Sequence, residues 1–321
     1  MEHNLFNSLN IIDLSVWYDL PLYVQYILVV IFGLCIGSFI NVVIYRLPLI
    51  FEQELQEYLA EQANAENDES EIKKTDENVS LSDKEQELKP AYLTEKITLS
   101  KPASRCSNCN YVLRWYDNIP VFSWLFLKAK CRNCDTSISI QYPLVEVIAG
   151  LGTLLCFMLF NNAYQAFCAI LFFWLLLTIT VLDAKTQLLP NELSQPLIFL
   201  GLFCGANNLF VDASTAIYGF LFGFFILWIV AFLFKLIRGY EGLGSGDPYL
   251  LGGIGAFVGI ENSLYTIFFA SILGILYVVL RKLFASKDMS TAIPFGPFIS
   301  CAGFVMFLYA NHKLDFIQNI L

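Results

Sequence analysis

Apolar runs about as long as a bilayer is thick constrain this chain more than any other feature. A spanning helix needs ~20 mostly apolar residues, because every backbone polar group in lipid must be hydrogen-bonded internally. Eight candidate runs occur, at 22–44, 143–160, 164–182, 193–210, 214–234, 248–260, 264–280 and 292–310. We therefore expect an all-α polytopic membrane protein with about eight transmembrane helices, of which the sixth is short and rich in glycine.

The composition supports this class and excludes others. Of the 321 residues, 57% are hydrophobic and 15% are charged, whereas soluble proteins have ~45–50% and ~25%. A soluble enzyme, a disordered chain and a nucleic-acid binder are thereby excluded, and a net charge of −9 offers no general attraction to phosphate. The lipid bilayer is the expected partner, and no nucleic acid is expected.

The negative charge belongs to one segment. Residues 52–96 contain 14 Asp and Glu and 5 Lys, which accounts for the whole −9. The same segment has almost no aromatic residues, so we expect a solvated, disordered or weakly helical insert.

The basic residues predict the orientation of the chain. With eight spans, 18 of the 19 Lys and Arg lie on the face of the loop 45–142, and only Lys313 lies on the other. Because cytoplasmic loops are enriched in Lys and Arg, we expect this loop in the cytoplasm and the segments 1–21 and 311–321 facing outward, in the periplasm. Residues 1–21 lack the basic region of a cleavable signal peptide, so 22–44 is predicted to be an uncleaved first span.

Four of the nine cysteines form two C-x₂-C pairs, Cys106 with Cys109 and Cys131 with Cys134, separated by 21 residues. This spacing is typical of a Cys₄ zinc ribbon, here expected at 100–140. Two disulfides are the weaker alternative, because the cytoplasm is reducing. Four thiolates leave no open position on the metal, which predicts a structural zinc that takes no part in catalysis.

Aromatic and basic residues surround these cysteines. A zinc-stabilised domain of this size needs a small apolar core, which we expect from Tyr111, Trp115, Phe122, Trp124 and Phe126. The flanking bases favour the anionic cytoplasmic leaflet: Lys101, Arg105, Arg114, Lys128, Lys130 and Arg132.

Two aspartates lie at the ends of predicted spans. Asp183 ends the third span, and Asp247 begins the sixth after Gly244 and Gly246, which permit positive φ or close backbone approach. If the two carboxyl groups meet, one keeps its proton while the other acts as a base on water, as in aspartic proteases. The alternative is that both are solvated helix-end acids, which suits Asp247 at a helix N-terminus better than Asp183 at a C-terminus.

Glu146 is a third candidate, near the start of the second span. Its more ordinary explanation is a first-turn acid that complements the helix dipole after Pro143.

Taken together, the motifs resemble those of the bacterial type IV prepilin peptidases, the bifunctional leader peptidase/N-methyltransferases. The resemblance runs from about residue 22 to 310 without the insert. It rests on the segment 33–48, on Ser104-Arg105-Cys106, Asp117-Asn118-Ile119-Pro120, Ser123-Trp124-Leu125 and Tyr142-Pro143-Leu144-Val145-Glu146, on Leu182-Asp183 with Leu189-Pro190, and on Gly244-x-Gly246-Asp247.

This resemblance implies an aspartic endopeptidase of the bacterial inner membrane with its peptidase core at 143–310. Such enzymes cut the leader from type IV prepilins or type II secretion pseudopilins at the cytoplasmic face, and then methylate the new N-terminus with S-adenosylmethionine. The catalytic aspartates carry over to Asp183 and Asp247. Three positions depart from the family pattern: Ala129 replaces a usual Gly, Asn191 a usual Asp and Tyr249 a usual Lys.

Two other classes of function compete with this one. A secondary transporter would use the aspartates as a proton or cation relay, but a relay places acids near mid-bilayer in discontinuous helices. A non-catalytic scaffold that binds partners through the zinc ribbon would tolerate loss of both aspartates, but not of Cys106 or Cys131.

Overall fold

The computed structural model describes residues 20–71, 96–240, 242–284 and 293–312. Apart from 96–140, these residues are mainly helical, as predicted. We number the eight α-helices of the described part in chain order: α1 Leu22–Glu71, α2 Phe122–Phe126, α3 Gln141–Leu159, α4 Ala163–Thr186, α5 Asn191–Ala206, α6 Ala213–Arg238, α7 Asp247–Phe284 and α8 Gly296–His312. A 3-10 helix at Trp115–Asn118 and two isolated β-bridges complete the regular structure of the described part. Almost all of the segments 1–21 and 311–321 lies outside the described residues.

Five of these helices, α1, α3, α4, α6 and α7, are long and apolar enough to cross a membrane. Two helices are shorter than predicted. The run 193–210 forms α5 with 16 residues, and the run 292–310 forms α8 with 17. At a rise of 1.5 Å per residue, α5 extends about 24 Å, less than the ~30 Å of a hydrocarbon core. The chain is therefore a multi-pass membrane protein with five full-length span candidates in the described residues.

The predicted sixth and seventh spans are both contained in α7, and the boundary between them lies at Gly259 instead of at 261–263. Gly259 has φ 76° and ψ −179°, which no helix accommodates. Before this break, Ile254 packs against Gly303 of α8; after it, Gly274 packs against Phe298, near the start of α8. The two segments of α7 therefore run in opposite directions and fold back at Gly259.

The first helix continues well beyond the predicted span 22–44. It is 50 residues long and passes through Pro48 without ending. The described part of the acidic insert, 52–71, is thus helical, and residues 52–62 are largely exposed. Just after the insert, the Ile97 N–H donates to Gln53 Oε1 at 2.9 Å, so the chain returns to α1.

Close helix packing fixes the position of α7 on α6. A Cβ added to Gly219 would lie 2.1 Å from the Gly255 carbonyl oxygen, and one added to Gly223 would lie 2.6 Å from that of Leu251. The small-residue spacing of these helices therefore allows direct backbone contact. This contact holds the first segment of α7, which begins with Asp247, against α6.

An aromatic core joins α4, α7 and α8. The buried rings of Phe172, Phe257 and Phe307 lie 4.3 to 5.9 Å apart between centroids. Such ring pairs add directional contacts to the burial of a large apolar area. The helices that carry the two aspartates, α4 and α7, are thereby held in one packed body.

The chain divides into two compact units. One consists of Met1–Gly37 with Glu146–Leu321, and the other is Ser38–Val145. The first contains both aspartates and the second contains the four paired cysteines.

Candidate active site and metal centre

Both predicted aspartates are buried. Asp183 lies in the last turn of α4 with 4% of its surface exposed, and Asp247 is the first residue of α7 with 3% exposed. Burial of two carboxyl groups is costly unless something specific stabilises them, which sets this pair apart from solvated helix-end acids. The solvated alternative is therefore wrong for both residues.

Asp183 is stabilised by the N-terminus of α8. The Gly296 N–H donates to Asp183 Oδ2 at 3.0 Å, and a Cβ at position 296 would lie only 2.6 Å from the same oxygen. An anion at a helix C-terminus is unfavourable, but the free N–H groups of another helix N-terminus offset this. A side chain at position 296 would therefore push the Asp183 carboxyl group out of this position.

Leu189, in the connection between α4 and α5, lies against both Gly296 and Gly246 and so links the segment before Asp247 to the start of α8. A Cβ on Gly296 would lie 3.1 Å from Leu189 Cδ1, and a Cβ on Gly246 would lie 2.3 Å from Leu189 Cβ. The site therefore gathers the end of α4, the start of α7 and the start of α8. Asp183 and Asp247 both adjoin this junction, Asp183 through Gly296 and Asp247 through Gly246.

The glycines before Asp247, Gly244 and Gly246, allow neighbouring atoms to approach the backbone closely and do not adopt positive φ. Among the described glycines only Gly239 and Gly259 have positive φ, so neither Gly244 nor Gly246 needs that conformation. The Asp247 N–H donates to the Gly244 carbonyl oxygen at 3.2 Å, and a Cβ on Gly244 would lie 3.1 Å from Asp247 Oδ2. Asp247 Oδ1 is buried and has no hydrogen-bond partner among the described residues.

An open apolar groove of about 410 Å³ lies between the second segment of α7 and the start of α8. Its lining residues are Ser271, Gly274, Ile275, Val278, Val279, Ile293, Phe295 and Phe298. Phe295 precedes Gly296 in the chain, but neither aspartate is part of the groove.

Sequence reasoning did not single out Gly296. The signal available was the string Pro294-Phe295-Gly296-Pro297 at the start of the last span, where a glycine stands between two prolines. Pro is favoured in the first turn of a helix and has no N–H, so Gly296 is left as the donor.

The interpretation of Glu146 as a first-turn acid is wrong. Helix α3 begins at Gln141, its first turn contains no acid, and Glu146 is 7% exposed. Its backbone packs against Gly37 of α1, where an added Cβ would lie 2.6 Å from the Glu146 Cα.

The four paired cysteines converge as predicted. Their Sγ atoms all lie within 4.8 Å of one another, with 3.8 Å between Cys106 and Cys134 and 3.9 Å between Cys109 and Cys131. Tetrahedral Zn²⁺ with Zn–S bonds of about 2.3 Å has S···S edges of about 3.8 Å. A disulfide requires about 2.05 Å, and all nine cysteines, which lie within the described residues, are free. The residues present therefore fit a Cys₄ metal ion better than disulfides.

The two cysteine loops have the same backbone design. In the first, the Cys106 N–H donates to Tyr111 O, and the Asn110 N–H to Cys106 O; Cys131, Thr136 and Asp135 repeat this pattern in the second. Asn110 and Asp135 both adopt φ 54°, the left-handed conformation that closes each loop. Each loop thus presents two thiols toward the same point.

The cluster favours thiolates only in part. Hydrogen bonds with Thr136 and Asn108 lower the pKa of Cys134 to about 6. Although the N–H groups of Asn133 and Cys134 favour the Cys131 thiolate, desolvation and hydrogen bonds with Cys106 and Cys134 raise its pKa to about 11. Four thiols this close cannot all ionise beside one another, so a bound cation is what permits four thiolates.

The predicted aromatic core of this unit is mostly wrong. Trp115 and Phe126 are each 81% exposed and Phe122 is 57% exposed, whereas Trp124 is half-buried and donates to Ile138 O at 3.1 Å. A polar contact supplies part of the missing cohesion. The Asp117 carboxylate, which is buried, receives Nε and Nη2 of Arg132 at 2.8 Å each, and so ties the second cysteine loop to the 3-10 helix.

The fold is that of a multi-pass membrane protein, and comparison with family models identifies its class. A family model described as "Bacterial Peptidase A24 N-terminal domain" matches residues 31–160, and one described as "Type IV leader peptidase family" matches residues 170–279. The cysteines fall in the first match and both aspartates in the second.

Curated relatives agree with these family models. The chain is 36% identical to a protein of Dichelobacter nodosus over 87% of its own length and 90% of the relative, and 35% identical to one of Pseudomonas aeruginosa over 88% and 89%. It is 34% identical to one of Aeromonas hydrophila over 93% and 95%. Each is named prepilin leader peptidase/N-methyltransferase. The chain belongs to the type IV leader peptidase family. No solved structure matches it significantly.

Proposed function

We propose that this chain is an aspartic endopeptidase that removes the leader peptide from type IV prepilins or type II secretion pseudopilins. The observation that carries the proposal is the buried pair of carboxyl groups, Asp183 and Asp247, gathered from two helices at one site. Membership of the family and the names of the relatives support the reaction class.

Hydrolysis requires one carboxylate and one carboxylic acid. The carboxylate takes a proton from water, whose oxygen attacks the carbonyl carbon of the leader's last peptide bond. The carboxylic acid donates its proton to the leaving nitrogen, and the C–N bond breaks without a covalent enzyme intermediate. The Gly296 N–H orients Asp183, and the free Oδ1 of Asp247 offers a contact for water or for the scissile carbonyl.

Two features support this reaction over transport. Asp183 and Asp247 lie at helix ends, whereas a proton or cation relay places acids near mid-bilayer. The open apolar groove at the start of α8 suits a substrate that has an apolar segment.

We propose an inner-membrane location with the loop 45–142 in the cytoplasm. The distribution of 18 of 19 bases to that face supports this orientation. Eight spans would comprise α1, α3, α4, α5, α6, the two opposed segments of α7, and α8. The aspartates would then lie at the cytoplasmic edge of the bilayer.

The Cys₄ cluster would hold a structural zinc ion through Cys106, Cys109, Cys131 and Cys134. Zinc bound there supplies cross-linking of the two cysteine loops, with no open coordination position for chemistry. The relatives' names further support N-methylation of the new N-terminus, with S-adenosylmethionine as the methyl donor.

The test is a mass measurement on the substrate. The full chain in proteoliposomes is incubated with a prepilin, with and without S-adenosylmethionine. We expect a product without its leader in both samples, and one added methyl group on its N-terminus only when the donor is present. Intact prepilin in both samples would overturn the peptidase, and a cleaved but unmethylated product would overturn the methyltransferase alone.

A further inference from the structure

The unit that contains the cysteines exposes an apolar face where a packed core was expected. On the short helix α2, Phe122, Leu125 and Phe126 are 57%, 58% and 81% exposed. Their spacing of three and four residues places them on one side of the helix. We call these three residues, with Trp115 of the adjoining 3-10 helix, the aromatic face.

The chain keeps these side chains outward by its local structure. Trp124, the remaining aromatic residue of α2, turns inward and bonds to Ile138 O. The 3-10 helix that contains Trp115 lies next to α2, and Trp115 is itself 81% exposed. Exposed aromatic residues grouped in this way on a small unit mark a surface that is covered by something else.

The charges around the aromatic face indicate what covers it. Outside the acidic insert, residues 97–140 contain six Lys and Arg and two Asp, a formal charge of +4. Four thiolates and one Zn²⁺ would reduce this by two, which leaves +2. Arg114 and Lys128, both exposed, directly adjoin the aromatic segment in sequence. Trp and Phe beside Lys and Arg are typical of surfaces that enter the interface of an anionic bilayer.

The chain connections of the unit also favour a bilayer as the surface that covers the aromatic face. It is joined at one end to α1 and at the other to α3, both long and apolar enough to span the membrane. Tethering at both ends keeps the unit at high effective concentration near a bilayer surface. A weak interfacial contact of a few aromatic side chains is sufficient under that condition.

We propose that the aromatic face docks the cysteine unit onto anionic lipid headgroups, with Trp115, Phe122, Leu125 and Phe126 inserted at the interface. This inference does not depend on the proposed peptidase activity.

The test uses the full chain in nanodiscs whose lipids are phosphatidylcholine and phosphatidylglycerol, with or without bromine on the upper acyl chain. Bromine quenches tryptophan only on contact. The fluorescence of Trp115 is the difference in emission between the unmodified chain and the Trp115→Phe variant. The same difference for the Trp124→Phe variant gives the fluorescence of Trp124, which is the matched control. We expect the Trp115 signal to be quenched by brominated lipid and the Trp124 signal to be unchanged.

Replacing Lys128 and Lys130 by Glu should reduce the Trp115 quenching, as should discs of phosphatidylcholine alone. An Asp183→Asn variant should be quenched like the unmodified chain, which separates this inference from the peptidase. A Trp115 signal that brominated lipid leaves unchanged would overturn the proposal. So would a signal that responds only to added prepilin or to a second copy in the disc, because the face would then bind protein.

Discussion

At the scale of single residues, position 296 shows how one missing side chain organises the site. Gly296 donates its N–H to Asp183 and leaves no room for a Cβ, which would lie 2.6 Å from Oδ2. Asp183 is therefore held by backbone, whose position depends on where α8 begins. This is why a pattern of side chains in the sequence did not reveal the contact.

Gly296→Ala should lower leader cleavage by about 100-fold, because a displacement of about 1 Å at a reacting group has that order of effect. The measurement is the initial rate of cleavage in proteoliposomes, alongside the melting temperature in detergent. Normal cleavage by a folded Gly296→Ala protein would show that the Asp183 position is not critical.

Ala129 is the departure from the family pattern that has a structural consequence. It adopts φ 60°, a left-handed conformation that favours glycine and costs other residues about 1–2 kcal/mol. Ala129→Gly should stabilise the cysteine unit by about 1 kcal/mol, measured as a higher urea concentration for release of its metal. Ala103→Gly is the matched control, since Ala103 has no positive φ, and should give no gain. Equal effects of the two substitutions would contradict the strain at 129.

At the scale of helices, the start of α7 is fixed by its backbone contact with α6. Gly219→Ala would place a Cβ 2.1 Å from the Gly255 oxygen and force the two helices apart. Overpacking of this kind costs about 1–3 kcal/mol, so the melting temperature in detergent should fall.

The control is Gly274→Ala on α7, where the nearest atom to an added Cβ is 3.6 Å away. That variant should melt like the unmodified protein. If both alanine variants melted alike, contact between α6 and α7 would not be what positions Asp247.

Apolar length predicted the main helices, because burial in lipid leaves the backbone few choices. It did not reveal that α7 turns back at Gly259 without a loop, since a single residue outside helical φ and ψ makes that turn. It also placed the end of the first helix too early. The segment 52–71 is polar, and helix continuity from α1 rather than composition decides its structure.

At the scale of the whole molecule, each of the two compact units contains one candidate site. The cysteine spacing predicted the Cys₄ cluster, because two tight loops with two thiols each can form a tetrahedral set of four ligands. The surrounding aromatic residues could not be placed in the same way, because composition does not distinguish a core from a surface that is covered by lipid. The buried Asp117 and its bond to Arg132 supply cohesion that the sequence did not reveal.

Removal of the metal should unfold residues 100–140 and leave the membrane helices intact. Binding requires deprotonated thiols, so affinity should fall as the pH is lowered and protons compete for Cys106, Cys109, Cys131 and Cys134. Metal analysis of the reduced protein should give one zinc per chain. Circular dichroism with a chelator should show a small loss of structure while the helical signal persists. Reduced protein that contains no zinc would contradict the account of this cluster.

The most direct test of the central claim is leader cleavage by aspartate variants. Asp183→Asn and Asp247→Asn keep the size of the side chains but remove the acid and base, so each should abolish cleavage of a prepilin in proteoliposomes. Asp212→Asn is the matched control, because Asp212 is an exposed N-cap of α6 and Asn caps a helix equally well. We expect full activity for Asp212→Asn and none for the other two variants. Full cleavage by folded Asp183→Asn or Asp247→Asn protein would contradict it.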